Sequence, residues 1–256
     1  MLAEGRATSC NRLIVFTAPR LSMARHCAVM PAVCLALCLM PVAAQAGGGA
    51  HVVDDDAVLD PGVCHAETWL TLFDDPGAPL GGRGLATVAP ACTLKSLPGL
   101  ELALAAQYLR DGGGALTLAP AAKLNLRPAA DGWGLAVSAA ATLDAGSGRV
   151  ESVALIAPVT VPVTPRLTVH GNLGWIATPR GDDRHALFWG AQAEYALAPD
   201  LVLMGEVFGQ DRGPAGGQAG LRWVTDRGRI DVDLLAGHRI DGARASSVTL
   251  GVTVRR

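Results

Sequence analysis

Long apolar runs are scarce in this 256-residue chain, although half of its residues are hydrophobic and its mean hydropathy is +0.31. Beyond the first fifty residues no uninterrupted stretch approaches the roughly eighteen apolar residues of a membrane helix. Charge is also sparse, at 17%, and nearly balanced at −2, so nothing favours binding to nucleic acid. Cys and His never take zinc spacing, and both a phosphate-cradling glycine loop and a G-x-S-x-G elbow are missing. Gly112-Gly-Gly114 sits in a turn and opens no helix. The residues therefore predict neither a cofactor nor an enzyme. The rival reading, a barrel-embedded hydrolase, would use His170, His185 or His238 as base beside a serine or carboxylate.

The first 46 residues read as a leader. Met23-Ala-Arg-His is a short basic start, Cys27 to Leu39 an apolar core, and Ala44-Gln45-Ala46 an A-x-A cleavage signal. The core, about thirteen residues long, is too short to span a bilayer. Residues 1–22 lie upstream of this signal, which places the expected translation start at Met23. Cys10, Cys27, Cys34 and Cys38 leave with the leader, while Cys64 and Cys92 stay in an exported chain where a disulfide is permitted.

What the chain has instead is alternation. In Ala115–Arg127, Leu116, Leu118, Ala122, Leu124 and Leu126 share one parity, and Thr117, Lys123, Asn125 and Arg127 share the other. Period two over so long a run marks a strand with one apolar and one polar face. Its length suits a tilted membrane-spanning strand of about nine to eleven residues better than a soluble strand of about five or six. After a polar segment at 47–63 that carries Asp54, Asp55 and Asp56, the pattern recurs. Strands are predicted at 65–73, 84–92, 100–110, 115–127, 133–143, 150–161, 166–177, 185–197, 201–210, 218–224, 229–237 and 246–255. Turn chemistry fills the gaps: Asp-Gly-Gly-Gly at 111–114, Asp-Ala-Gly-Ser-Gly at 144–148, Thr-Asp-Arg-Gly at 225–228. Short and long gaps alternate, as short periplasmic turns and longer external loops do. The expected fold is all-β: a closed antiparallel transmembrane barrel of about twelve strands over 64–256, in the outer membrane of a Gram-negative bacterium.

Side-chain parity then assigns faces. Trp175 and Trp189 near the outer ends, and Trp133, Tyr195 and Trp223 near the inner ends, fall on the apolar parity and form two aromatic belts against lipid. The polar parity collects Lys123, Asn125, Arg127, His170, Asn172, Gln192, Glu194, Glu206, Gln218, Arg222, Arg229, Asp231 and Asp233, which are expected to line the lumen. There they either form a selective path or neutralise one another in a filled, structural barrel. Asp54 to Asp56 could hold a cation, but without ligand spacing they are expected to be a solvated tail. Antiparallel pairing of the first two strands returns Cys92 to the level of Cys64, which predicts a disulfide between them.

Asp54 to Trp69, Asp183 to Leu197, Glu206-Val-Phe-Gly209 and Gln218 to Trp223 resemble the outer-membrane barrels labelled putative MetA-pathway of phenol degradation proteins. The resemblance spans about 51–256. It implies a porin-like channel or transporter for small organic solutes, including aromatic or hydrophobic ones, with lipid and the outer-membrane assembly machinery as partners. Such barrels usually finish on an aromatic residue, whereas this chain ends Val252-Thr-Val-Arg255-Arg256.

Overall fold

The computed structural model describes residues 50–74, 83–110, 114–179, 184–240 and 245–256. The leader at 1–46, with its cleavage signal, lies outside the described residues. So do residues 75–82, 111–113, 180–183 and 241–244, within the longer gaps.

Twelve strands close into one barrel: β1 (Cys64–Asp74), β2 (Arg83–Thr93), β3 (Leu100–Arg110), β4 (Ala115–Arg127), β5 (Gly134–Asp144), β6 (Val150–Thr164), β7 (Leu167–Ala177), β8 (His185–Ala198), β9 (Leu201–Gln210), β10 (Gly216–Thr225), β11 (Ile230–His238) and β12 (Ser246–Arg255). Each strand pairs antiparallel with its sequence neighbours, and β12 closes on β1. Closure leaves no unpaired edge, which is the condition for a sheet in hydrocarbon. The strands have 9 to 15 residues, enough to cross a bilayer at a tilt. The predicted boundaries differ by a few residues at most. Trp133 ends up just ahead of β5, because a 3₁₀ turn at Ala129–Asp131 fills the gap before it.

Pro90 and Pro158 sit inside β2 and β6 without breaking them. An antiparallel residue directs its N–H to one neighbour only, so a proline there costs one ladder bond. The β2–β3 pairing accordingly jumps from Val88–Ala106 to Ala91–Ala103.

Apolar side chains cover the outside. Leu203, Leu221, Leu234, Leu250 and Leu70 stand directly side by side across β9, β10, β11, β12 and β1, all pointing outward. In water this row would be an aggregation hazard; in a bilayer it is the lipid-facing band. Trp133, Trp175, Trp189, Tyr195 and Trp223 are exposed on the same surface, joined by Tyr108. A charge in the leucine row is expected to be costly: Leu234→Arg should destabilise the barrel by about 2–4 kcal/mol. Urea unfolding from lipid vesicles would measure it, and an unchanged midpoint would show that this face does not meet lipid.

Candidate functional site in the barrel lumen

The lumen is occupied by the chain itself. Residues 50–59 cross the interior before the chain turns into β1, and the inward side chains of six strands satisfy their backbone. Gln218 Nε2 donates to the Ala50 carbonyl at 2.8 Å. The Glu206 carboxylate accepts the successive N–H groups of Val52 (2.9 Å) and Val53 (3.0 Å). Asn172 takes both polar atoms of Asp54, accepting its N–H at 2.8 Å and donating to its carbonyl at 2.7 Å. Thr160 Oγ1 accepts the Asp56 N–H at 3.0 Å, and Asn125 Nδ2 donates to the Asp56 carbonyl at 2.6 Å. Glu101 accepts the Leu59 N–H at 3.2 Å. Buried backbone groups must find partners, and here wall side chains supply what a sheet neighbour would have given.

The expectation of a solvated acidic tail is therefore corrected. Asp55 and Asp56 are only 2% and 3% exposed. Lys123 Nζ meets Asp54 Oδ1 at 2.8 Å and Asp55 Oδ1 at 2.9 Å, while Asp56 Oδ2 accepts from Asn125 Nδ2 (3.1 Å) and the Ala129 N–H (3.0 Å). Desolvating three neighbouring carboxylates would be prohibitive without these partners. Burial pushes the Asp55 carboxyl up to about 7; the Lys123 ammonium pulls against that, and Asp54 and Asp56 add to it.

Strand register explains how the wall is assembled. Gly134, Thr160, His170, Gln192, Glu206 and Gln218 are successive cross-strand partners, so one inward row runs from β5 to β10. Glu206 sits in that row with Gln218 Nε2 at 2.7 Å and Gln192 Nε2 at 3.3 Å, and so accepts four N–H donors in all. His51 reaches Gln192 at 3.0 Å and stands 3.8 Å from both Glu206 and Asp233. A second ionic group lies beside it: Arg222 and Asp233 are register partners and bond bidentately at 2.8 and 3.0 Å, with Glu194 3.9 Å from Arg222. Arg255 pairs with Asp231 at 2.7 Å. Val53 packs on Phe188 and Phe208, and Ala50 on Val202, Met204 and Leu235.

Eleven of the side chains assigned to the lumen by parity are placed inward: Lys123, Asn125, His170, Asn172, Gln192, Glu194, Glu206, Gln218, Arg222, Asp231 and Asp233. Arg229 is not. It precedes β11 in the turn after a 3₁₀ segment at Asp226–Gly228, its side chain is 67% exposed, and it pairs with Asp226 at 2.8 Å. Parity extrapolated one residue past the strand end loses its meaning, because the turn breaks the alternation. Arg127 lies at the rim, donating to the carbonyls of Trp133 and Asp131 and stacking over the Trp133 ring at 4.8 Å. Sequence reasoning missed Glu101 and Thr160, although Glu101 shares the alternation Glu101, Ala103, Ala105 that marks an inward face.

Beside residues 54–60 a cavity of about 390 Å³ remains, along β1 to β5. Alanine is the commonest residue of its wall (Ala89, Ala91, Ala103, Ala121, Ala122, Ala140), with Glu67, Glu101, Lys123 and Arg255 as charged members. Of the histidines weighed as a catalytic base, His170 is buried against Thr160 Oγ1 at 3.0 Å, and His185 stacks on Trp175. His238 Nδ1 stands 3.4 Å from Ser246 Oγ at the exposed rim, a long contact, and among the described residues no carboxylate orients that ring.

Cys64 and Cys92 are register partners with Cα atoms 4.1 Å apart, joined as a disulfide where the interior segment becomes β1. Replacing both by serine is expected to cost about 3–4 kcal/mol on the chain-entropy account. Heat-modifiable gel migration with and without reductant reads it; identical transitions would leave the bond no stabilising role.

Closed antiparallel strands, an apolar girdle and a polar interior define a transmembrane β-barrel of the outer-membrane type. Solved structures agree on the fold. The KdgM porin is 9% identical with a TM-score of 0.57, covering 74% of this chain and 98% of its own. The NanC porin is 7% identical at 0.58, covering 74% and 98%. The COG4313 outer membrane channel from Pseudomonas putida F1 is 13% identical at 0.55, covering 79% and 98%. The chain belongs to the family described as Uncharacterised conserved protein UCP029691, which it matches over residues 35–256. The comparison with curated proteins gives no match.

Proposed function

We propose that this barrel is a porin-like channel for small organic solutes, with residues 50–59 as its constriction. The carrying observation is the cavity of about 390 Å³ left between that segment and the small-residue wall of β1 to β5. Alanines on inward positions leave the space open where bulkier side chains would fill it. The leader reading, with cleavage after Ala46 and delivery by the assembly machinery, belongs to the same proposal. So does the resemblance to the MetA-pathway barrels, which favours organic solutes. A similar fold occurs in a KdgM porin in complex with disordered oligogalacturonate, which supports passage through barrels of this size.

A filled, structural barrel is the second reading. It is favoured by the Arg222–Asp233–Glu194 group and the two apolar clusters that close the side of the lumen opposite the cavity.

Asp55 separates the two. Docked, its carboxyl holds a proton up to about pH 7, whereas a solvated aspartate releases it near 3.9. A group whose docked pKa is raised supports docking fully below the undocked value. That support is lost as pH rises through the docked value. Single-channel conductance of the whole chain is therefore expected to rise between about pH 4 and 7 and level off above, and Asp55→Asn should flatten the profile. Silence in the bilayer at every pH, with a folded barrel, would establish the filled reading.

A further inference from the structure

The contacts to residues 50–59 have a chemistry of their own. Most of them read main chain. Glu206 accepts two successive N–H groups, Asn172 takes the N–H and carbonyl of Asp54, Thr160 and Asn125 take those of Asp56, and Gln218 takes the Ala50 carbonyl. Asp54 and Asp56, two residues apart, are served by different strands of the wall, Asp54 from β7 and Asp56 from β6 and β4. The rest read carboxylates: Lys123 Nζ holds two, and Asn125 Nδ2 with the Ala129 N–H holds a third. Lys123, Asn125 and Asn172 donate from β4 and β7, while β8 to β11 carry four carboxylates, Glu194, Glu206, Asp231 and Asp233, against the one inward cation Arg222 among their described residues. The N–H groups of Val52 and Val53 and the His51 ring lie against the acidic wall, and the aspartates lie against the donor wall. Inward glycines leave room for it: a Cβ at Gly190 would stand 2.8 Å from Val53 Cγ2, and one at Gly134 would collide with the Asp56 carboxylate.

We infer that the lumen is a recognition site for short acidic peptides. The chain's own residues 50–59 fill it here, and peptides of that chemistry are the solutes that compete for it. This rests on the channel reading for passage, but the binding half stands on the wall contacts alone. A sugar polyanion would satisfy Lys123 and Asn125 yet offer no paired N–H groups to Glu206, so the wall favours peptide.

The test uses the full chain carrying Asp54→Asn and Asp56→Asn, which weakens the contacts to Lys123, Asn125 and the Ala129 N–H, loosens the segment and leaves the wall intact. The probe is the synthetic peptide Ala-His-Val-Val-Asp-Asp-Asp-Ala, with a fluorescent label at its C-terminal end for binding and unlabelled for block. Labelled peptide should bind the detergent-solubilised variant saturably, and unlabelled peptide should block its current. The all-asparagine peptide should bind at least tenfold more weakly, and Lys123→Gln in the wall should weaken the acidic peptide by a similar factor. Glu206→Gln should weaken both peptides, since it serves main chain. Absence of saturable binding to a folded variant overturns the inference, as does equal competition by a polyuronate of matched charge. Binding without any conductance in any variant would sink the channel reading and uphold the recognition site.

Discussion

Asp233→Ala is expected to destabilise the barrel by about 3–5 kcal/mol, the usual cost of removing one partner from a buried pair. Asp233 and Arg222 are both about 2% exposed, and the guanidinium is held in a bidentate grip at 2.8 and 3.0 Å. Alanine would leave that cation facing Glu194 at 3.9 Å and a space where the carboxylate stood. It would also withdraw the carboxylate that stands 3.8 Å from His51, so the interior segment should loosen as well. The double exchange Arg222→Met with Asp233→Leu should cost far less, because neither charge is then buried alone. Urea unfolding from vesicles measures all three proteins. A single mutant no worse than the double would show that the pair is not what holds this part of the wall.

The second large effect is on conductance. Gly134 and Gly190 both lie in strands at inward positions, with no positive φ, so a β-branched residue suits their backbone. The obstacle at each is the interior segment: Asp56 over Gly134 and Val53 over Gly190. Gly134→Val with Gly190→Val should therefore expel residues 50–59 while the ladder stays paired. The single-channel current is expected to increase several-fold, and the added current should lose the pH dependence assigned to Asp55. Thermal migration on gels should confirm that the barrel remains closed. An unaltered current from a folded double mutant would mean that the segment does not limit flow.

Much of this molecule is legible from local pattern. Alternation is a property of neighbouring residues, since successive strand side chains point to opposite faces whatever lies across the sheet. Leu116 to Leu126 against Thr117 to Arg127 therefore announces β4 and both of its environments. Turn residues spaced between such runs define nearest-neighbour hairpins, and in a closed barrel those hairpins are the whole topology. Register of the first hairpin brings Cys64 opposite Cys92. The limits of that logic show at Arg229, where the strand has not begun, and at Arg127, where the rim turn captures the side chain.

What occupies the lumen was decided only in three dimensions. Asp54 meets Asn172 across a sequence separation of 118 residues, and Val52 meets Glu206 across 154. His51-Val-Val-Asp-Asp-Asp has the composition of a solvated tail, and three adjacent carboxylates ordinarily stay in water. Asp55 and Asp56 are buried here, and Asp54 half-buried, because strand register lines up Lys123, Asn125, Thr160 and Asn172 on inward faces. The sequence alone determined a wall with a polar inside. Only the closed barrel brought donors from β4, β6 and β7 together around one peptide, because desolvation and hydrogen bonding are settled among all the groups that share an interior.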